Sequence, residues 1–246
     1  MINIIYSELL KLRKSYLAAL ILLGGIFIPG MMLAAGIIDN GYEAINKDSC
    51  LNLIANTNIF QLQFLNIIMF SIVAGYVFSR EYTNKTLNSL YSYPISKFKI
   101  VLGKFITILM LIMIVYTINF FSIFAVIVIL SHGLSVIDIM YVQLKMTVIS
   151  LGLQVILIPL PALIGCISKN IIFPTVYGVI GAIASMFMSI GGIYMQFCPF
   201  SIPALPFYYF YKGDPIDYIA VLLCALGIFI ISVSAFIFYL KKYDIN

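Results

Sequence analysis

This chain contains few charged residues. Asp, Glu, Lys and Arg together make up 9% of its 246 residues, and hydrophobic residues make up 63%, whereas soluble domains have roughly 25% and 45–50%. Tryptophan is absent and histidine occurs once. The composition therefore excludes a soluble globular domain and indicates a protein embedded in a membrane.

The apolar runs are long and continuous rather than alternating, so the predicted fold class is an all-α polytopic membrane protein. A chain of this length accommodates about six spans of roughly 20 residues joined by short loops. We predict one transmembrane domain over residues 1–246, with no room for a soluble catalytic domain. The six predicted spans are Tyr16–Ile38, Ile59–Phe78, Phe105–Leu130, Met140–Ile167, Ile171–Ile193 and Tyr218–Leu240.

The residue types that chemistry needs are also missing. His132 stands alone, so neither a metal centre nor a catalytic triad can be assembled around it. No GxxxxGK[ST] sequence occurs, which excludes nucleotide hydrolysis through a phosphate-binding loop of that type. We therefore expect no catalytic residue, no metal site and no bound cofactor in this chain, and no nucleic-acid partner.

The four cysteines form no CxxC pair and have no metal-ligand spacing. Cys166 and Cys224 lie in apolar runs and are expected to be buried as small hydrophobic residues. Cys50 and Cys198 lie in stretches predicted to be external. A disulfide between them is conceivable, although free thiols are the simpler interpretation.

Acidic residues are missing from the deep part of every predicted span. Proton-coupled carriers usually rely on ionisable groups at that depth, because such groups are costly to bury and functional when present. A proton-coupled carrier is therefore disfavoured, while sodium coupling through carbonyl and hydroxyl oxygens stays open. If this chain moves a substrate uphill, we expect the energy to come from another subunit.

The positive charges that are present lie mostly on one side. Eleven of the fourteen Lys and Arg residues fall in residues 1–14, residues 80–104, the 168–170 turn and the C-terminal tail. Because basic residues mark cytoplasmic loops, both termini are predicted to be cytoplasmic. Residues Asp39 to Asn58 are then predicted to form the first external loop.

Residues 1–14 predict an N-terminal amphipathic helix that lies in the membrane interface. Ile2, Ile5 and Leu9 recur at helical spacing, while Lys11 and Lys14 fall on the other side. That basic side would face anionic headgroups. A basic flank that only orients the first span is the alternative interpretation.

Residues 80–104 form the largest predicted water-facing basic segment. Thr83 to Leu90 can form a short cytoplasmic helix, and Pro94 would end the following turn. Leu87 and Leu90 could insert into a groove on a partner protein. A basic loop without a partner is the alternative.

Two further features predict a substrate path. Gln63 and Asn66, three residues apart in the second span, are expected to point into the bundle rather than at lipid. Residues 194–217 combine four prolines with many aromatic residues, which favours re-entrant or interface-lying helices in an external segment. The candidate gate or substrate-contact residues of that segment are Phe200, Phe207 and Tyr208.

In the fourth span, Pro159 and Pro161 predict a kink or a break.

Several short motifs resemble the integral-membrane subunits of type-2 ABC exporters. The N-terminal E-x-x-K-x-R sequence comprises Glu8, Lys11 and Arg13. The second span ends in F-x-x-E and is followed by a Thr, a Pro-x-Ser-Lys turn and a Gly-Lys pair. These positions are Phe78, Glu81, Thr86, Pro94, Ser96, Lys97, Gly103 and Lys104. Lys85 departs from the pattern, because many members carry Gly before the Thr. Within the class, the chain looks most like the small permeases of the lantibiotic-immunity and bacitracin-resistance type.

The resemblance implies a permease of a bacterial cell membrane that pairs with a second copy or a sister permease. A dimer of ABC ATP-binding subunits would dock underneath, and ATP and Mg²⁺ would bind to that partner. The N-terminal helix (Glu8, Lys11, Arg13) and the 80–104 segment would transmit its closure. The implied ATPase-coupling residues are Glu81, Thr86, Leu87, Leu90, Pro94 and Lys97.

The resemblance also implies a substrate class. A hydrophobic, amphipathic or cationic peptide antibiotic would be expelled from the membrane, which is a role in antibiotic resistance or lantibiotic immunity. Membrane lipid surrounds such a permease and is a further partner. Two alternatives stay open: an ion-coupled secondary transporter and a non-enzymatic membrane assembly partner.

Overall fold

The computed structural model of the protein describes residues 2–13, 15–40, 47–84, 86, 96–131, 136–213 and 216–242. Within these ranges the chain consists of helices and turns, without a strand. Six helical stretches there are long and apolar enough to cross a membrane. The predicted fold class, an all-α polytopic membrane protein with six transmembrane helices, is confirmed.

The helices are numbered here as six spans preceded by an N-terminal helix, Ile2–Arg13. Span 2 has three parts, of which the middle one is π-helical, and span 4 has two parts. Span 1 is Leu17–Asn40; span 2 is Lys47–Phe60, Gln61–Leu65 and Asn66–Thr83; span 3 is Lys97–Ser131; span 4 is Val136–Leu157 and Pro159–Ser168; span 5 is Ile172–Ile190; and span 6 is Tyr218–Lys242.

Span 2 is the centre of the bundle, and span 6 lies at its periphery. In span 2, 72% of the apolar stretch is buried, against 22% in span 6. The backbones of spans 2 and 4 approach closely in this centre, because a Cβ atom on Gly165 would lie 2.9 Å from the Cα atom of Gly75. Small residues allow helix backbones to approach this closely in membranes.

The external loop predicted for Asp39 to Asn58 is wrong. Span 1 continues to Asn40 and a helix begins at Lys47, while residues 41–46 lie outside the described part of the chain. The polar side chains of this helix find partners: Thr57 donates to the Leu53 carbonyl, and Asn58 exchanges hydrogen bonds of 3.0 and 3.2 Å with Gln143 of span 4. Satisfied polar groups allow a polar stretch to be buried as helix.

The break predicted in span 4 is confirmed. The first helix stops at Leu157 and the second begins at Pro159. Pro159 and Pro161 occupy the first turn of the second helix, where the missing backbone N–H leaves no hydrogen bond unmade.

Residues 192–212 have the broken helical form that their prolines predict. Two 3₁₀ turns, Gly192–Phe197 and Ile202–Ala204, precede one α-helical turn and a π-helical segment, Tyr208–Lys212. Ile202 and Ala204 are fully buried, and this region packs against spans 4 and 6. Residues 201–205 are therefore covered by protein, as broken backbone at membrane depth requires, whereas Tyr194, Phe197, Tyr209 and Phe210 are exposed.

Segments predicted to be cytoplasmic lie together at one end of the bundle. The N-terminal helix packs against the start of span 3. The Lys169 ammonium lies 5.6 Å from the centre of the Tyr82 ring at the end of span 2. The Tyr239 hydroxyl near the end of span 6 donates to the Cys166 carbonyl over 3.2 Å. This grouping agrees with the charge distribution, and the cytoplasmic orientation itself stays a prediction.

Candidate functional site

Four charged side chains from three parts of the chain meet at this end of the bundle. Glu8 and Lys11 come from the N-terminal helix, Glu81 lies in the last turn of span 2 and Lys104 lies two turns into span 3. The Lys104 Nζ atom lies 3.0 Å from Glu81 Oε1 and 3.9 Å from Glu8 Oε2. The Lys11 Nζ atom lies 2.5 Å from Glu8 Oε1 and 3.3 Å from Glu81 Oε1. We call these four residues the charge cluster.

Most of the charge cluster is buried. Glu8, Glu81 and Lys104 are 5%, 7% and 3% exposed. Buried charges persist when they are paired and hydrogen-bonded, and here two cations face two carboxylates. Lys104 also donates to the Val77 carbonyl over 2.8 Å, so its ammonium has polar partners on several sides.

Two sequence-based expectations about this region are wrong. Residues 80–104 are not uniformly water-facing, because Glu81 and Lys104 neutralise each other inside the bundle. The third span begins at Lys97 rather than at Phe105. The attraction between the two opposite charges offsets the free-energy cost of taking them out of water.

Lys11 does not extend to the headgroups as its position on the basic side predicts, because it binds Glu8 and Glu81. Partial burial lowers the pKa of Lys11, but hydrogen bonds to the two carboxylates and their negative charges outweigh this and raise the pKa above its usual value. Lys11 therefore stays protonated at physiological pH.

A glycine explains why the N-terminal helix can dock here. A Cβ atom on Gly103 would lie 2.7 Å from Ile4 Cγ2, so the absence of a side chain admits this helix against span 3. Leu12 from the same helix is buried in the main core. Gly103 thus makes room for the N-terminal helix, and Lys104 binds the Glu8 carboxylate of that helix.

The predicted ATPase-coupling residues are only partly described. Glu81 lies in the charge cluster, and the Thr86 backbone N–H donates to its carbonyl over 3.0 Å. Leu87, Leu90 and Pro94 lie outside the described residues, as does most of the helix predicted for Thr83 to Leu90. The Lys97 and Arg13 side chains also lie outside the described part, although their backbones belong to helices. The structure thus brings Glu8, Lys11 and Glu81 together.

A groove of about 710 Å³ opens among spans 1, 2 and 5 near the opposite end of the bundle. Its floor joins the two π-helical segments, since the Tyr208 hydroxyl donates to Gln63 Oε1 over 3.4 Å. We call it the upper groove. Its lining is Met32, Asn56, Ile59, Phe60, Gln63, Phe64, Ile183, Met186, Phe187, Ser189, Ile190 and Tyr208.

The other predicted path residues lie elsewhere. Asn66 is buried and accepts a hydrogen bond of 2.8 Å from Gln61, so it and Gln63 both point into the bundle but contact different neighbours. A π-helical turn changes the angular spacing of side chains, which separates these two residues. Phe207 is 1% exposed within the core, and the Phe200 ring packs on Tyr177 at 5.2 Å between centroids.

Several buried polar contacts could not be predicted from the sequence. Lys104 was noted in a motif but not as a site residue, and its partners come from remote parts of the chain. The Gln61 side chain donates to the Gly24 carbonyl over 2.7 Å, and Asn58 pairs with Gln143. In the sequence, each of these appears as a polar residue inside an apolar run. This indicates a buried polar contact but does not identify the residue that it binds.

The described residues contain no group of three or more His, Cys, Asp or Glu side chains that could hold a metal ion. All four cysteines are free thiols, three of them buried. The disulfide between Cys50 and Cys198 that the sequence left open is therefore not formed.

Comparison with known protein families identifies the family of this chain. Residues 4–185 match the family described as ABC-2 family transporter protein. The matched region includes the whole charge cluster and most of the upper groove. No curated protein matches the chain.

Proposed function

The chain belongs to the ABC-2 family of transporter proteins, and on this premise we propose that it is the permease subunit of an ATP-driven exporter. Members of this family are multi-pass membrane subunits that associate with a separate ATP-binding subunit. This chain would therefore provide the path for the substrate, and its partner would bind and hydrolyse ATP.

The charge cluster is the observation that carries this proposal. It connects the two ends of the segment between spans 2 and 3 to each other and to the N-terminal helix. An ATP-binding subunit that moves residues 84–96 would act on Glu81 and, through it, on Lys104 and Lys11. A paired, buried cluster transmits such a displacement because separating its charges is costly.

The upper groove supports a hydrophobic or cationic peptide antibiotic as the substrate. Its lining is mainly aliphatic and aromatic, with polar groups on Gln63, Tyr208, Asn56 and Ser189 and no charged side chain. Such a lining suits the apolar part of an amphipathic molecule, while the cationic groups of that molecule would stay at the membrane surface. Lantibiotic-type immunity or bacitracin-type resistance is the biological role we propose, supported by the motif resemblance.

A second copy or a sister permease would complete the groove. Span 5 borders it and exposes a row of apolar side chains toward the outside of the bundle, namely Phe173, Val176, Ile180, Ile183 and Phe187. Covering this row with another permease would turn the groove into an enclosed path between two chains.

The test is reconstitution of the chain in lipid vesicles with the ATP-binding subunit that copurifies with it. We expect ATP-dependent export of a labelled peptide antibiotic, and we expect Glu81→Gln to reduce export while ATP hydrolysis continues. Lys145→Gln is the matched control, because Lys145 is exposed and lies outside both the cluster and the upper groove. Unchanged coupling in Glu81→Gln would contradict the role of the cluster.

The same vesicles discriminate the alternatives. Transport by this chain alone, driven by a sodium gradient, would establish a secondary transporter and remove the proposed ATP-driven mechanism. The absence of any copurifying ATP-binding subunit, together with the absence of transport, would favour an assembly partner.

A further inference from the structure

A second groove lies near the end of the bundle that holds the charge cluster, but on its outer face. It has a volume of about 330 Å³ and lies between spans 3, 4 and 6. Every lining residue is apolar, and we call it the lower groove. Its lining is Phe98, Val101, Leu102, Phe105, Ile106, Leu109, Val155, Ile158, Pro159, Phe229, Val233, Phe236 and Ile237.

The length of the lower groove matches one leaflet. Residues 98 to 109 of span 3 rise about 16 Å along the helix axis, which is close to half of the roughly 30 Å hydrocarbon core of a bilayer. The break at Pro159 shapes the opposite wall, because span 4 interrupts its helix beside Val155 and Ile158. A single acyl chain has the length and the chemistry to fill such a slot.

The helix ends that border the mouth of the lower groove contain several lysines. Lys99 is exposed beside Phe98, and Lys97 is the first residue of the span 3 helix. Lys241 and Lys242 end the span 6 helix, one turn beyond Ile237. Neither of these two helices contains an Asp or Glu residue. The helix ends at the mouth therefore supply four lysines next to the region where a lipid headgroup would lie, and Lys99 is exposed there.

We propose that the lower groove binds one acyl chain of an anionic phospholipid from the leaflet predicted to be cytoplasmic, with its headgroup held by these lysines. Basic pockets between transmembrane helices on this side of a membrane recognise anionic headgroups. A zwitterionic lipid carries no net negative charge and gains less from the lysines. This inference does not depend on the exported substrate.

The chain offers a clean way to test this, because it contains no tryptophan. Phe229→Trp places the only indole in the groove wall, and Ile230→Trp places one at the same depth on the same helix but outside the groove lining. Each full-length variant is reconstituted in vesicles that contain brominated phosphatidylglycerol or brominated phosphatidylcholine, and quenching of the indole fluorescence is measured. Phe105→Trp serves as a second groove reporter in case Phe229→Trp does not fold.

We expect phosphatidylglycerol to compete for the Phe229→Trp site several-fold better than phosphatidylcholine, with about fivefold contributed by each lysine that reaches the headgroup. Ile230→Trp should show little preference. Changing the four mouth lysines to Gln should return the preference at Phe229→Trp to that of the control.

Three results would overturn the proposal. Equal quenching by both lipids in the groove variants would show that the groove does not select charge. A preference that survives the Lys→Gln changes would remove the lysines from recognition. Absence of quenching by either lipid would show that a protein surface, such as a second copy of this chain, covers the groove.

Discussion

The Lys104 ammonium lies 3.0 Å from the Glu81 carboxylate, and this pair closes the base of the hairpin formed by spans 2 and 3. Glu81 is in the last turn of span 2, and Lys104 is two turns into span 3. Each side chain is buried, so the contact is shielded from water and salt. The segment between the two residues is thus attached to the bundle by an ion pair that also includes the N-terminal helix.

Removing the Glu81 charge should destabilise the bundle. Glu81→Gln leaves the buried Lys104 short of a counter-charge, and breaking a buried pair from one side costs about 3–5 kcal/mol. The free energy of unfolding in mixed detergent micelles measures this loss. Glu81→Gln combined with Lys104→Gln should lose less than the sum of the single changes. Lys145→Gln, at an exposed site, should change the free energy of unfolding by no more than about 0.5 kcal/mol.

Gly103→Ala should displace the N-terminal helix. The added methyl would lie 2.7 Å from Ile4 Cγ2, and overpacking of this kind costs about 1–3 kcal/mol. Ala would otherwise favour the helix by about 1 kcal/mol, so a stabilised Gly103→Ala variant would contradict the described docking. The double variant with Ile4→Ala should recover stability, which thermal unfolding in detergent can follow.

Two glycines of span 4 should respond in opposite ways to the same substitution. Gly165→Ala should destabilise the protein, because its Cβ would lie 2.9 Å from the backbone of Gly75. Gly152→Ala should be neutral or stabilising, since no atom beyond its chain neighbours and its own helix backbone lies within 4 Å of the added Cβ and Ala is the better helix former. Equal losses of unfolding free energy would argue against the close approach of spans 2 and 4.

The amide pair Asn58–Gln143 should show a measurable but modest coupling. Hydrogen bonds between transmembrane helices average about 0.6 kcal/mol and reach at most about 1.7 kcal/mol. A double-mutant cycle with Asn58→Ala and Gln143→Ala in unfolding experiments gives the coupling directly. Strictly additive losses would mean that the two amides do not interact in the folded protein.

Cysteine labelling should establish the orientation in the membrane. Ser96→Cys, at the exposed start of span 3, should react with a membrane-impermeant maleimide only after the cytoplasmic side is opened. Ser49→Cys, exposed at the opposite end, should react in intact cells. The native Cys224 is replaced by Ala in both variants because it is half-buried. Reversed labelling of the two sites would overturn the predicted topology.

The spans and the break at Pro159 were predictable, because both depend on local properties of the sequence. Length and apolar content define a span, and a proline lacks the N–H that a helix interior needs. The loop predicted for Asp39 to Asn58 failed for the opposite reason. Asn58 is buried only because Gln143, far away in the chain, satisfies its amide.

The candidate site was predictable as a set of residue types but not as an arrangement. Glu8, Lys11 and Glu81 could be selected from short motifs, whereas their convergence on Lys104 depends on how the N-terminal helix packs over Gly103. Gln63 and Asn66 are three residues apart in the sequence, yet a π-helical turn between them directs each to separate partners. Such a turn leaves no clear pattern in composition or periodicity.

Span 3 is a single helix of 35 residues that contains no proline, and Lys104 near its start is joined to the N-terminal helix and to span 2. At its other end, Ile123, Val126 and Ile127 pack with Cys50 and Ile54. The helix extends about 32 Å from Lys104 to this distant contact. A rotation of about 5° at the Lys104 end would therefore shift this contact by about 3 Å. Span 3 can thus act as a lever that converts a small angular movement at one membrane surface into a displacement of side-chain size at the other.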